Sequence, residues 1–411
     1  MEAYITNLSL FALLLFAGLI ITYISAKIKL PNILFLIIMG LSLGYTKYIK
    51  IEQIIPKELL ASLSIFVLIM IIFDSTTKFQ IKEVKELSPY AIKLSFIFLI
   101  TCLTLLTLSI HLLFAENIFS FKLFLVSLLF GSLMSGTAPD IILSILGKTK
   151  NKVLEILQFE SIINTPLTVL MPLIVLDFYF ERLKAGTFVV QFLQQIMTGV
   201  GTGLILGILA VIIIRKIYSN KIAPLIVIAS VLGIYATAEN IAGNGILAVT
   251  TFGLIFGKSK IREKVELEKF SDAFTDLLTI IVFILVGMLI IIPLDKIFII
   301  KSLALFLIFL IIRYISVNLT FKRSALKKKE KIFMALNAPK GAASIVVVFI
   351  LSTYAIPGLQ TILNLILAFI IYTIILSTIT IKFKEHFLSK ETEKTTLKII
   401  KTKKLKKNKT L

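Results

Sequence analysis

Asp140, Glu160 and Lys340 stand in otherwise apolar stretches of this 411-residue chain, each beside residues that could bind an ion. Asp140 closes Ser135-Gly136-Thr137-Ala138-Pro139-Asp140, and Lys340 lies in Leu336-Asn337-Ala338-Pro339-Lys340-Gly341. Glu160 opens Glu160-Ser161-Ile162-Ile163-Asn164-Thr165-Pro166, so on a helix Glu160 and Asn164 share a face with Ser161 beside them. Hard cations such as Na⁺ take carboxylate, hydroxyl and carbonyl oxygens. These residues therefore predict a cation site at Asp140 and Glu160, with Ser161, Asn164 and Thr165 adding neutral oxygens and Glu160 as the proton-exchanging group. A lysine ammonium nearby would compete with the cation or pair with a carboxylate, so Lys340 is expected to form an ion pair with Glu160 or Asp140. Asp276 is the next intramembrane acid and a candidate for the ion path.

The elements that hold these residues follow from hydropathy. The chain is 58% hydrophobic and 16% charged, with mean hydropathy +1.00, which excludes an ordinary soluble enzyme. Thirteen apolar stretches are long enough to cross a hydrocarbon core of about 30 Å. They run over residues 5–26, 30–45, 58–76, 88–114, 120–146, 154–176, 187–214, 222–237, 240–257, 273–292, 297–321, 331–354 and 359–381. The expected fold class is an all-α polytopic membrane protein. Its first stretch has no basic residue before it and reads as a span rather than a signal peptide.

Charge gives the expected orientation. The odd-numbered connections hold 22 Lys and Arg, against eight in the even-numbered ones, and the tail adds eleven Lys to the first side. Basic loops stay in the cytoplasm, so the N-terminus is expected outside and the C-terminus inside. Residues 382–411 form a basic tail, expected to be mobile. The formal charge of +21 lies in short loops and this tail rather than on one folded face, which points to anionic lipid headgroups and away from nucleic acid.

Both Pro-containing segments fall inside a span. Proline removes a backbone donor and blocks the carbonyl four residues back, so both helices are expected to break there, near Pro139 and Pro339, and to cross. If the stretch at 187–214 is a linker, residues 1–176 and 222–381 become two six-span repeats of opposite orientation, each with its fifth span broken. Matched broken helices in inverted repeats point to the midplane site of a secondary transporter.

Other motifs carry less. Gly253 to Ser259 is one residue short of a phosphate-binding loop and follows no strand. His111, His386 and the single Cys102 make no metal constellation, and no nucleophile–base pair is evident, so neither an enzyme nor a cofactor is expected. Gly199, Gly203 and Gly207 form a ladder suited to close helix packing, within the chain or in a dimer. Asp74, Asp177, Glu239 and Asp272 lie at span ends and are expected to be solvated.

At these residues the chain resembles the monovalent cation/proton antiporter superfamily, most closely the archaeal and bacterial sodium/proton antiporters of the NhaP type. Leu30-Pro31-Asn32-Ile33-Leu34 with Gly40 and Gly44, Asn244 to Gly253, and Val286-Gly287-Met288 resemble family helices in order and spacing, and Arg313 falls where the eleventh span usually has an arginine. The resemblance implies a homodimer exchanging Na⁺ or another monovalent cation for H⁺ in the cell membrane. By resemblance Thr137, Glu160, Ser161, Asn164 and Lys340 are expected to belong to the ion site, yet there are departures: Thr137-Ala138-Pro139 stands where the family usually has Thr-Asp-Pro, and Asn164-Thr165 where it has Asn-Asp. Lys340 stands where the NhaP type usually has an arginine that pairs with the glutamate of span six. A channel-like or non-transporting sensor relative is the alternative.

Overall fold

The computed structural model describes residues 2–28, 32–45, 57–77, 88–115, 117–138, 151–181, 188–217, 222–289, 293, 295–324 and 326–388. Pro139, Asp140 and the tail beyond residue 388 lie outside the described residues. Every described element is helical: α1 (Glu2–Ile28), α2 (Asn32–Tyr45), α3 (Lys57–Thr77), α4 (Ser88–Thr101), α5 (Thr107–Phe114), α6 (Phe121–Met134), α7 (Lys152–Tyr179) and α8 (Phe188–Lys216). After these come α9 (Ala223–Asn240), α10 (Gly245–Lys258), α11 (Lys264–Leu289), α12 (Lys296–Thr320), α13 (Lys328–Leu336), α14 (Ala342–Ser352), α15 (Leu359–Lys382) and α16 (Lys384–Phe387).

Among the described residues, seven helices are long and apolar enough to cross a membrane, and six further apolar helices are shorter. Their starts follow local chemistry. Ser120, Asn151, Asn244 and Asp295 each cap a helix, their side-chain oxygens accepting first-turn N–H groups. Between α4 and α5, residues Cys102–Leu106 form one turn of π-helix. It widens span four where Gly131 of α6 packs so closely that a Cβ there would stand 2.7 Å from the Cys102 carbonyl oxygen.

Small residues set the helix spacing elsewhere. The glycine ladder of α8 lies on α10 within the chain: Cβ atoms at Gly199 and Gly203 would meet the Asn244 and Ala248 carbonyl oxygens, and Gly207 faces Phe252. Gly40 of α2 and Gly287 of α11 face each other so tightly that a Cβ on either would stand 2.8 Å from the other's Cα. Two of the fragments that carry the family resemblance are therefore packing partners.

Asp74 corrects one expectation. Instead of being solvated at the end of α3, it is buried and accepts a hydrogen bond of 2.5 Å from Ser271 Oγ on α11.

Candidate ion-binding site

Two helices stop in the interior. Helix α6 ends at Met134, and Ser135 closes a tight last turn before Gly136, Thr137 and Ala138 run on without helical structure. The other stop is at Leu336, with Asn337–Gly341 separating α13 from α14. The two interruptions meet backbone to backbone: the Ala138 N–H donates to the Pro339 carbonyl at 2.8 Å, and a Cβ on Gly341 would collide with that of Ala138. The chain is thus out of helix before Pro139 and around Pro339, and the two segments meet, while Pro139 itself and the expected second half of span five lie outside the described residues.

Helix α7 locks one interruption. Asn164 Nδ2 donates to Thr137 Oγ1 at 2.9 Å, while the Thr137 N–H donates back to Asn164 Oδ1 at 3.3 Å. From α15, Thr373 Oγ1 accepts the Lys340 N–H at 3.2 Å, and Ser377 Oγ donates to Asn337 Oδ1 at 2.9 Å. Neighbouring helices thus take up one freed backbone N–H at each break, Thr137 from α7 and Lys340 from α15, as a low-dielectric interior requires.

Beside the crossing lies a cavity of about 20 Å³, room for one or two water-sized particles. Hydroxyl-bearing Ser75, Thr137, Thr165, Thr168 and Ser344 line it, along with backbone of the two interruptions. Thr165 Oγ1 donates to the Ser161 carbonyl at 2.6 Å and Thr168 Oγ1 to the Asn164 carbonyl at 2.8 Å, leaving their lone pairs to accept. No carboxylate among the described residues lines this space.

The charged groups pair differently from the expectation. Glu160 and Arg313 form a wholly buried, two-pronged ion pair, Nη1 to Oε1 at 2.5 Å and Nη2 to Oε2 at 2.7 Å, with the guanidinium 4.4 Å from the centre of the Phe98 ring. The planar guanidinium matches both carboxylate oxygens at once, which an ammonium cannot do. The Lys340–Glu160 ion pair is accordingly absent, and the alternative partner, Asp140, lies outside the described residues. Lys340 Nζ instead donates to the carbonyls of Met134 at 2.6 Å and Gly136 at 2.5 Å, where the end of α6 leaves acceptors without their helical donors.

The predicted residues therefore separate into two groups. Thr137, Asn164 and Thr165 come together at the crossing with Lys340 alongside. Glu160 and Arg313 face one another instead of the cavity, and Ser161 Oγ donates to the Gln158 carbonyl. Asp276 is exposed on α11 and does not line the cavity. Sequence reasoning missed Ser75, Thr168 and Ser344. For Thr168 a signal existed, since it follows Asn164 by four residues and extends the same polar face.

A profile of the family described as sodium/hydrogen exchanger, transmembrane, matches residues 11–384. The chain belongs to the sodium/hydrogen exchanger family. It is 29% identical over 350 residues to the probable Na⁺/H⁺ antiporter 2 of Methanocaldococcus jannaschii, covering 80% of each chain. With the K⁺/H⁺ antiporter NhaP of Alkalimonas amylolytica it shares 25% identity over 357 residues, 84% of this chain and 60% of that one. Its fold matches the solved structure of the sodium proton antiporter MjNhaP1 of M. jannaschii with a TM-score of 0.79 and 19% identity, over 92% of this chain and all of that one.

Proposed function

We propose that this chain is a secondary-active antiporter that exchanges Na⁺ or another monovalent cation for H⁺ by alternating access, with the crossing as its ion site. The observation that carries the reading is the hydroxyl-lined cavity at the crossing of two interrupted helices, in a chain of the exchanger family. Thr137, Thr165, Thr168, Ser75 and Ser344 supply neutral oxygens. Asp140, two residues beyond the last described position of that segment, supplies the carboxylate for which cation and proton compete. Glu160 is held by Arg313 and fixes α7 against α12, so it positions the site rather than filling it. Membrane-facing partners are anionic lipids and a second copy of the chain.

The test is a pH dye enclosed in proteoliposomes of the purified chain, with Na⁺ and K⁺ pulses at several pH values. Cation-dependent proton movement is the expected result. Its absence for every cation overturns the reading and favours the non-transporting relative, for which the neutral residues at 138 and 165 would then account.

A further inference from the structure

Lys340 is the one described cation at the crossing whose partner is main chain. Its ammonium is wholly buried, it lies 4.7 and 5.4 Å from the ring centres of Phe309 and Phe98, and its hydrogen bonds run to the carbonyl oxygens of Met134 and Gly136. The Met134 oxygen belongs to the last residue of α6 and the Gly136 oxygen to the first non-helical residue after its closing turn, where the helix dipole is negative and carbonyls lack helical donors. Carbonyl oxygens at a helix end, backed by ring faces, are what a bare monovalent cation would seek in this interior. Gly136 also lines the hydroxyl cavity, so the acceptor held by Lys340 belongs to a residue on the wall of the space where a free cation would sit. Beyond the hydroxyls and the carboxylate proposed above, the carbonyls of Met134 and Gly136 would strengthen the site.

We propose that Lys340 is a tethered competitor of the transported cation, its ammonium occupying the carbonyl oxygens of Met134 and Gly136 that a free cation must gain in order to bind. Lys340 thereby sets the apparent cation affinity of the site. This inference rests on the antiporter reading above. A purely structural role makes a different forecast: as a mere cap on α6, the ammonium would add stability and have no effect on cation binding.

Lys340→Met and Lys340→Gln separate the two. Methionine keeps most of the volume, and glutamine keeps an N–H donor without the charge. Na⁺ binding to the purified full-length protein in detergent is measured by titration calorimetry and by the rise in Tm with added NaCl, with choline chloride as control. The expected result is Na⁺ binding at least tenfold tighter than wild type in Lys340→Met, and tighter in Lys340→Gln also. Unchanged or weaker binding in either folded variant overturns the inference and leaves Lys340 a cap. Proton flux in proteoliposomes is recorded in parallel with the wild-type protein. Loss of flux there with tighter Na⁺ binding in the variants sinks the antiporter reading alone, while intact wild-type flux with unchanged variant binding sinks the competitor alone.

Discussion

Glu160 and Arg313 have side chains with no exposed surface, so each neutralises a charge that would otherwise be stranded in apolar surroundings. Removing one partner of such a pair costs about 3–5 kcal/mol, whereas replacing both with apolar residues is often near neutral. Glu160→Gln should therefore lower Tm in detergent markedly, and Glu160→Leu combined with Arg313→Leu should recover much of the loss; a double variant as unstable as the sum of the singles would refute the account. Thr165 lies on the cavity wall in place of the acid usual in the family. Thr165→Asp is expected to lower the apparent KM for Na⁺ in the dye assay, and Asp140→Asn to abolish cation-coupled proton flux. Full coupling in Asp140→Asn would place the proton carrier elsewhere. The residues bearing the site were readable from sequence because Pro, Gly and charge interrupt apolar runs. Their pairing was not. Lys340 and Arg313 are both cations opposite one glutamate, and only the placement of α4, α7 and α12 decides which reaches it. Ser75 was unreadable for another reason: it sits in the polar run Asp74-Ser75-Thr76-Thr77 at a span end, where hydroxyls ordinarily bond the preceding turn of their own helix.

Among elements, α8 and α10 give the cleanest case of packing dictated by residue size. Gly203 meets the Ala248 backbone, while Gly201, two residues away, has nothing within 4 Å of where its Cβ would lie. Gly203→Leu must push the two helices apart and is expected to lower Tm by many degrees or prevent assembly. Gly201→Leu faces open space and should stay within about 0.5 kcal/mol of wild type. Equal effects from the two would mean that helix propensity, not contact, governs the ladder. Helix placement was largely legible, because hydropathy and capping residues act locally. Hydropathy did not reveal the burial of Asp74: the fate of an acid at a span end depends on which helix lies opposite, and here Ser271 meets it.

For the whole molecule, the charge asymmetry of the connections predicts which ends face the cytoplasm, and the buried Cys102 makes the test simple, since the native thiol is shielded from reagents. Phe119 is 98% exposed between α5 and α6, and Arg262 is exposed between α10 and α11. In Phe119→Cys the new thiol should react with an impermeant maleimide from outside intact cells, and in Arg262→Cys only after the membrane is opened. The reverse pattern would invert the orientation. Light scattering in detergent should give twice the 45.9 kDa of one chain, as the expected homodimer requires.

One bond at the centre bears on how freely such a transporter can change its cargo. The Ala138 N–H and the Pro339 carbonyl join the two interruptions through main chain alone. Changing the side chains at 138 and 165 removes neither partner of this bond, so on the proposed reading the frame of the ion site is separate from the groups that choose the ion. An exchanger built this way can trade acids for hydroxyls, or sodium for another ion, while keeping the same architecture.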